Sequence, residues 1–381
     1  MAIYIIIFSL FFGASILEAG GLKKHQARWL LGGLAAILIL FVGLRYNTGA
    51  DWNMYNKVFD ESLSSNMQHK VEYGYLLLNK IFKIVFDNYY VLQFFATLFF
   101  VLSVCKFYKK EATYPIAALT LLMCFMLFNI MMAQVRQSIA VAIIVLFSNY
   151  IFERKLLHFL IVISVASFFH ASAVAAIPLY FLYRNYGKII PIALILAANI
   201  FYFYPDALKI LILQVAPILP ESLSNKTIWY MQSIFVEKLE FNTGLFYLSQ
   251  LAITLLLVLL VKIKDNKTAF FVNSLAIFAI IKAFSVSVSV LGRLESYYLV
   301  FAVVAFTYIW DIKIEKIQLY WTKLAFATVL LLFFYVPLIL SVTSTAISSL
   351  TNRPENYARV PYYNCIFHPE EAKLRKDWEQ K

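Results

Sequence analysis

Arg45, Arg136, Arg293, His170 and Asp51 are the residues of this chain best suited to chemistry. Each arginine stands at the edge of an apolar run, where a charge is costly unless it faces a cavity or a partner. A guanidinium offers paired donors and never deprotonates, which suits phosphate oxygens. A histidine titrates near neutrality and suits proton transfer, whereas an exposed aspartate is a weak base unless it is buried. Plainer readings exist for each. An arginine at a helix end can be an interfacial anchor, Arg45 and Asp51 can form a structural bridge, and His170 can be a hydrogen-bonded core residue. Glu295 can pair with Arg293 or with a lysine.

The elements that must position these residues are apolar. Of 381 residues, 62% are hydrophobic and 14% charged, far from the composition of soluble domains. Runs long enough to cross roughly 30 Å of hydrocarbon recur along the chain. No run alternates with period 2, which excludes a membrane barrel. The expectation is an all-α, polytopic integral membrane helix bundle with about twelve transmembrane helices, ten to thirteen. The predicted spans are 2–17, 29–45, 89–107, 114–132, 134–152, 156–170, 172–183, 188–204, 244–262, 268–291, 293–310 and 322–342. The sixth and seventh are short and read as tilted or broken helices meeting at His170. Residues 1–342 form one transmembrane catalytic domain on this reading, and 343–381 an ordered extracytoplasmic tail.

Orientation follows from basic residues. One set of short loops holds 16 Lys and Arg in 46 positions, and the opposite set, 46–88, 205–243 and 343–381, holds 13 in 121. Dense short basic loops mark the cytoplasm. Both termini and the three long segments then lie outside, with aromatic stretches such as NYYVLQFF forming helices at the interface. The net charge of +12 is spread over these loops, which speaks against nucleic acid.

Drawn this way, Arg45, Arg136, His170 and Arg293 share one depth, the outer face. Three arginines at one level call for an anion between them, and the membrane-anchored anion at that depth is the diphosphate head of a polyprenyl lipid. Small residues beside Arg136 and after His170 let helices approach closely. There is no H-E-x-x-H, Gly-rich phosphate loop, C-x-x-C, G-x-S-x-G or D-x-D pattern, so neither metal nor cofactor is expected. Arginines alone would then stabilise a diphosphate leaving group.

These residues carry a resemblance. The chain resembles the EpsG-type branch of the Wzy polymerases. The matching pieces are Arg45-x3-Gly49-x-Asp51-x3-Tyr55, Arg136-Gln137, Phe169-His170-x-Ser172-Ala173, Arg293 followed by Tyr297 and Tyr298, and Pro361-Tyr362. The resemblance implies a glycosyltransferase of the bacterial inner membrane, active on the periplasmic face. It would polymerise O-antigen or a related surface polysaccharide from undecaprenyl-diphosphate-linked repeat units, moving the growing glycan onto the incoming unit. Arg45, Arg136 and Arg293 become the candidates for diphosphate binding, and His170 and Asp51 the candidates for general base. Gln137, Tyr55, Tyr297 and Tyr298 become candidates for contact with the sugars. The implied partners are the lipid-linked donor and acceptor, membrane lipid and a chain-length regulator protein.

Three rival classes share features. A transporter or flippase of lipid-linked sugars would place polar residues at mid-membrane, where Lys282 is the main example here, and would show duplicated halves. A membrane acyltransferase would hold its histidine toward a cytoplasmic acyl donor. An O-antigen ligase shares the donor and the arginine logic, and the EpsG-like spacing is what separates it from a polymerase.

Overall fold

A computed structural model describes residues 2–49, 51–64, 71–218, 221, 224–225, 228, 241–288, 291–311, 328 and 363–364. Their contacts gather into two units. The first comprises 1–150, 155–174 and 313–381, the second 151–154 and 175–312.

In the first unit, helix α1 (Ala2–Ala19) and helix α2 (Lys24–Gly43) are followed by a two-residue strand β1 (Arg45–Tyr46), a short helix α3 (Trp52–Asp60) and helix α4 (Tyr73–Phe86). Helix α5 (Tyr89–Glu111) then leads to α6 (Pro115–Met126), which continues as a π-helical stretch, Leu127–Ala133. Helices α7 (Val135–Leu146), α8 (Asn149–Phe152) and α9 (Leu156–Phe169) follow. Local chemistry sets several of these boundaries. The Asn88 side chain accepts from the Tyr90 amide and caps α5, Pro115 opens α6, and α4 stops where Asp87 turns left-handed at φ 46°. The core of this unit is aromatic around α1, where the Tyr4 ring meets Phe41 at 5.4 Å and Phe128 at 5.7 Å. The carboxylate of Glu18, at the end of α1, accepts the Ile116 and Ala117 amides at 3.1 and 2.9 Å. It thereby satisfies donors that the start of a helix leaves open. The one described ladder is antiparallel, β1 with β2 (Tyr363–Asn364), Arg45 opposite Asn364 and Tyr46 opposite Tyr363.

The second unit is built on α14 (Asn266–Ser287), which packs against α15 (Gly292–Thr307) and α11 (Ile189–Phe203). Its other helices are α10 (Leu179–Leu182), α12 (Pro205–Val215) and α13 (Phe241–Leu260). The Asp265 carboxylate caps α14 by accepting the Thr268 amide at 2.7 Å. The rings of Tyr202 and Tyr247 stack at 4.3 Å, and the Tyr247 hydroxyl donates to Asn199 Oδ1.

The all-α expectation agrees with these elements, but the described residues do not confirm the count of about twelve spans. Among the described residues, five helices are long and apolar enough to cross a membrane: Ala2–Ala19, Lys24–Gly43, Tyr89–Glu111, Pro115–Ala133 and Asn266–Ser285. A sixth is gained if Ile189–Phe203 and Asp206–Ile218, bent by 102°, count as one. The predicted spans between 134 and 183 fold as shorter pieces, α7 of 12 residues, α9 of 14 and α10 of 4. At 1.5 Å per residue, a helix of 14 residues reaches only about 21 Å. The predicted span 322–342 and most of 205–243 and 343–381 lie outside the described residues.

Candidate active site

Three helices of the first unit, α4, α7 and α9, bring side chains together around one carboxylate that sequence reasoning passed over, Glu72. It occupies the N-cap position of α4. Its Oε2 accepts from Arg136 Nη1 at 2.5 Å. Its Oε1 meets His170 Nδ1 at 3.1 Å and the Ala171 amide at 3.3 Å. Arg136 is the second residue of α7 and His170 the residue that ends α9. The cation-bearing Arg136 sits in the first turn of a helix, where the macrodipole disfavours it, so an anionic partner there is strongly favoured.

Glu72 answers that need and is itself held charged. Burial alone would raise its pKa, but the His170 hydrogen bond and the Arg136 charge outweigh it and bring it from 4.5 to about 2. An ionised carboxylate only accepts hydrogen bonds, so His170 Nδ1 must donate, and in the neutral ring the lone pair falls on Nε2. That is the tautomer a general base needs, with the carboxylate orienting the ring. The pair is held close by Gly74: a Cβ there would press on the Phe168 carbonyl oxygen at 2.8 Å. Only a residue without a side chain lets the start of α4 seat on the end of α9.

Behind Arg136 lies a layer of phenols. Its guanidinium stands 5.6 Å from the Tyr55 ring, and Tyr55 meets Tyr75 edge-on at 5.6 Å. Burial raises the Tyr55 phenol above its ordinary range, while Arg136 pulls the other way.

Arg45 belongs to the same unit but does different work. It is 1% exposed, and its guanidinium donates to the carbonyls of Val42 (2.6 Å), Met132 (2.9 Å) and Thr48 (3.0 Å). Its own carbonyl accepts from Gln93 Nε2 at 2.9 Å. Gly49, at φ +120°, packs directly on the same Met132 carbonyl group. Asp51 is the N-cap residue of α3 and lies near enough to Tyr55 for its charge to bear on that phenol.

A scan against family models matches residues 28–362 to the EpsG family. The chain belongs to the EpsG family. No curated protein and no solved structure matches it. Family membership, with the apolar helices, points to a membrane polysaccharide polymerase.

The matched range takes in every candidate of this EpsG chain, and the structure sorts them. Arg136 and His170 are brought together, by Glu72. The candidates for sugar contact are buried: Tyr55, Gln137, Tyr297 and Tyr298 are all 3% exposed or less. The Tyr298 hydroxyl donates to the Ala175 carbonyl at 2.6 Å. In the second unit, Arg293 lies exposed in the first turn of α15. Glu295 pairs with Lys282 at 3.3 Å and also contacts Ser285. Lys282 is therefore the neutralised partner of a carboxylate on the next helix.

Glu72 carries a pH signature. Its folded-state pKa lies below its ordinary value, so its stabilisation is fully present above about pH 4.5 and is lost as pH falls through about 2. The melting temperature of the detergent-solubilised protein should drop across that window, and Glu72→Gln should lack this part of the drop. Identical slopes in both proteins would assign the acid sensitivity to other groups.

Proposed function

We propose that this EpsG-family protein joins undecaprenyl-diphosphate-linked oligosaccharide units on the periplasmic face of the bacterial inner membrane, with His170 as general base. The observation that carries the reading is the Glu72–His170 pair beside Arg136. An acceptor sugar hydroxyl loses its proton to His170 Nε2 as its oxygen bonds to the donor's anomeric carbon. The bond from that carbon to the diphosphate oxygen breaks, and its electron pair leaves with the diphosphate. Glu72 fixes the tautomer before the reaction and stabilises the imidazolium that forms. Arg136 is the cation proposed to meet the diphosphate, which gains charge as it departs. Arg45 is left out of that role, because its guanidinium is buried and holds three carbonyls.

The test is complementation of a deletion strain, with surface polysaccharide separated by size on a gel. His170→Ala and Arg136→Ala should leave single repeat units in place of the ladder while the protein stays at wild-type level in the membrane. A full ladder from both variants would remove the cluster from the chemistry. Asp51→Asn serves as the comparison: loss there, with His170→Ala still active, would transfer the base to Asp51.

A further inference from the structure

We propose that the exposed apolar faces of α4 and α9, which meet at the Glu72–His170 pair, are the docking surface for the isoprenoid tail of the lipid-linked substrate. This rests on the proposed function, since it assumes that the diphosphate is handled at that pair.

The pattern on α4 is the first observation. Leu77, Ile81 and Ile84, at i, i+4 and i+7, are exposed, while Tyr75, Leu76 and Asn79 are buried on the opposite side. Side chains at that spacing form one stripe along a helix. The helix has 14 residues, about 21 Å of length, and cannot cross roughly 30 Å of hydrocarbon. An apolar outer face on a helix that does not span needs another explanation.

The second observation is on α9, which carries its own stripe at the same spacing, Ile161, Val165 and Phe168. This stripe ends two residues before His170, and the α4 stripe begins five residues after Glu72. The Gly74 seat on the Phe168 carbonyl fixes the two helices at the point where the stripes meet. Two apolar tracks that end on an ionic cluster complement a molecule with a charged head and a long hydrocarbon tail. Ordinary phospholipid would coat other outward faces as well. Ile6 and Leu17 of α1 are as exposed, at 65% and 59%, and serve as the internal control.

The test uses the full-length protein in phosphatidylethanolamine–phosphatidylglycerol proteoliposomes. A photo-crosslinking phenylalanine derivative is placed at position 77, 84, 161 or 165, and at 6 or 17 as controls. Radiolabelled undecaprenyl diphosphate is added before illumination. Labelling at the α4 and α9 positions should exceed the controls at least tenfold, with an unchanged melting temperature confirming the fold of each variant. Equal labelling at all positions would show that bulk lipid covers these faces and would overturn the proposal. Polymerisation of added repeat units is measured in the same vesicles. Polymer without enriched labelling refutes the docking surface alone, whereas enriched labelling without polymer supports it and refutes the polymerase reading.

Discussion

Glu72→Gln is expected to lower polymer output by about a hundredfold or more, the scale at which general acid–base groups contribute. Glutamine matches glutamate in shape, so the change isolates charge and acceptor capacity. Only one amide oxygen remains to accept, while the structure asks for two: Arg136 on Oε2, His170 and Ala171 on Oε1. If that oxygen stays with His170, the amide NH2 confronts the Arg136 donors. If it turns to Arg136, His170 loses its acceptor and its fixed tautomer. Arg136 in either case loses its counter-charge at a helix N-terminus. Groups that act as a unit are strongly non-additive. Combining Glu72→Gln with His170→Ala should therefore cost little more than His170→Ala alone, and Glu72→Asp should recover part of the activity. The measurement is initial polymerisation rate per folded protein, with membrane level and melting temperature taken alongside. Additive losses would detach Glu72 from His170 and make it a structural bridge to Arg136.

Arg45→Ala should instead remove the protein. Three buried carbonyls would lose their donor, each at about 1–3 kcal/mol. Some 3 kcal/mol or more is a large share of the stability of an ordinary fold, about 5–15 kcal/mol. The damage would spread, because the Met132 carbonyl also abuts Gly49, and Gln93 bonds the Arg45 carbonyl. Arg45→Lys should do little better, since an ammonium is a point charge that cannot hold three carbonyls in the planes a guanidinium fork reaches. Both variants should fall in membrane level and melting temperature, with activity tracking the amount of folded protein. A variant that accumulates and melts like wild type yet makes no polymer would return Arg45 to the substrate.

What sequence could show here was local. Hydropathy and length found the helices at 2–19, 24–43, 89–111, 115–133 and 266–285, because crossing a bilayer depends on a continuous run of residues. The same signal misread 134–183. An apolar run looks continuous even where Pro178, the turn near Ser148 and the extended His170 break its helix. Arg136 and His170 were visible as polar residues in apolar surroundings. Glu72 was not, because one acid in a polar stretch means nothing until folding sets it against a histidine 98 positions away. The nearest local clue was the run Glu72-Tyr73-Gly74-Tyr75 at the start of an apolar helix, with a glycine where close packing would need one. Arg45 misled for the complementary reason: the carbonyls that occupy its guanidinium leave no mark in residue identity.

The pairing of Tyr363–Asn364 with Arg45–Tyr46 bears on how the molecule is born. Contacts between segments so remote in sequence form late, because a long loop must close before they return any free energy. A ribosome delivers the first partner long before the second. During that interval the Arg45 turn lacks its neighbouring strand, and a nascent chain halted short of residue 364 would leave it so. Assembly of this corner thus waits for residue 364 to be made, and a truncation downstream of the described helices could still be read out in it.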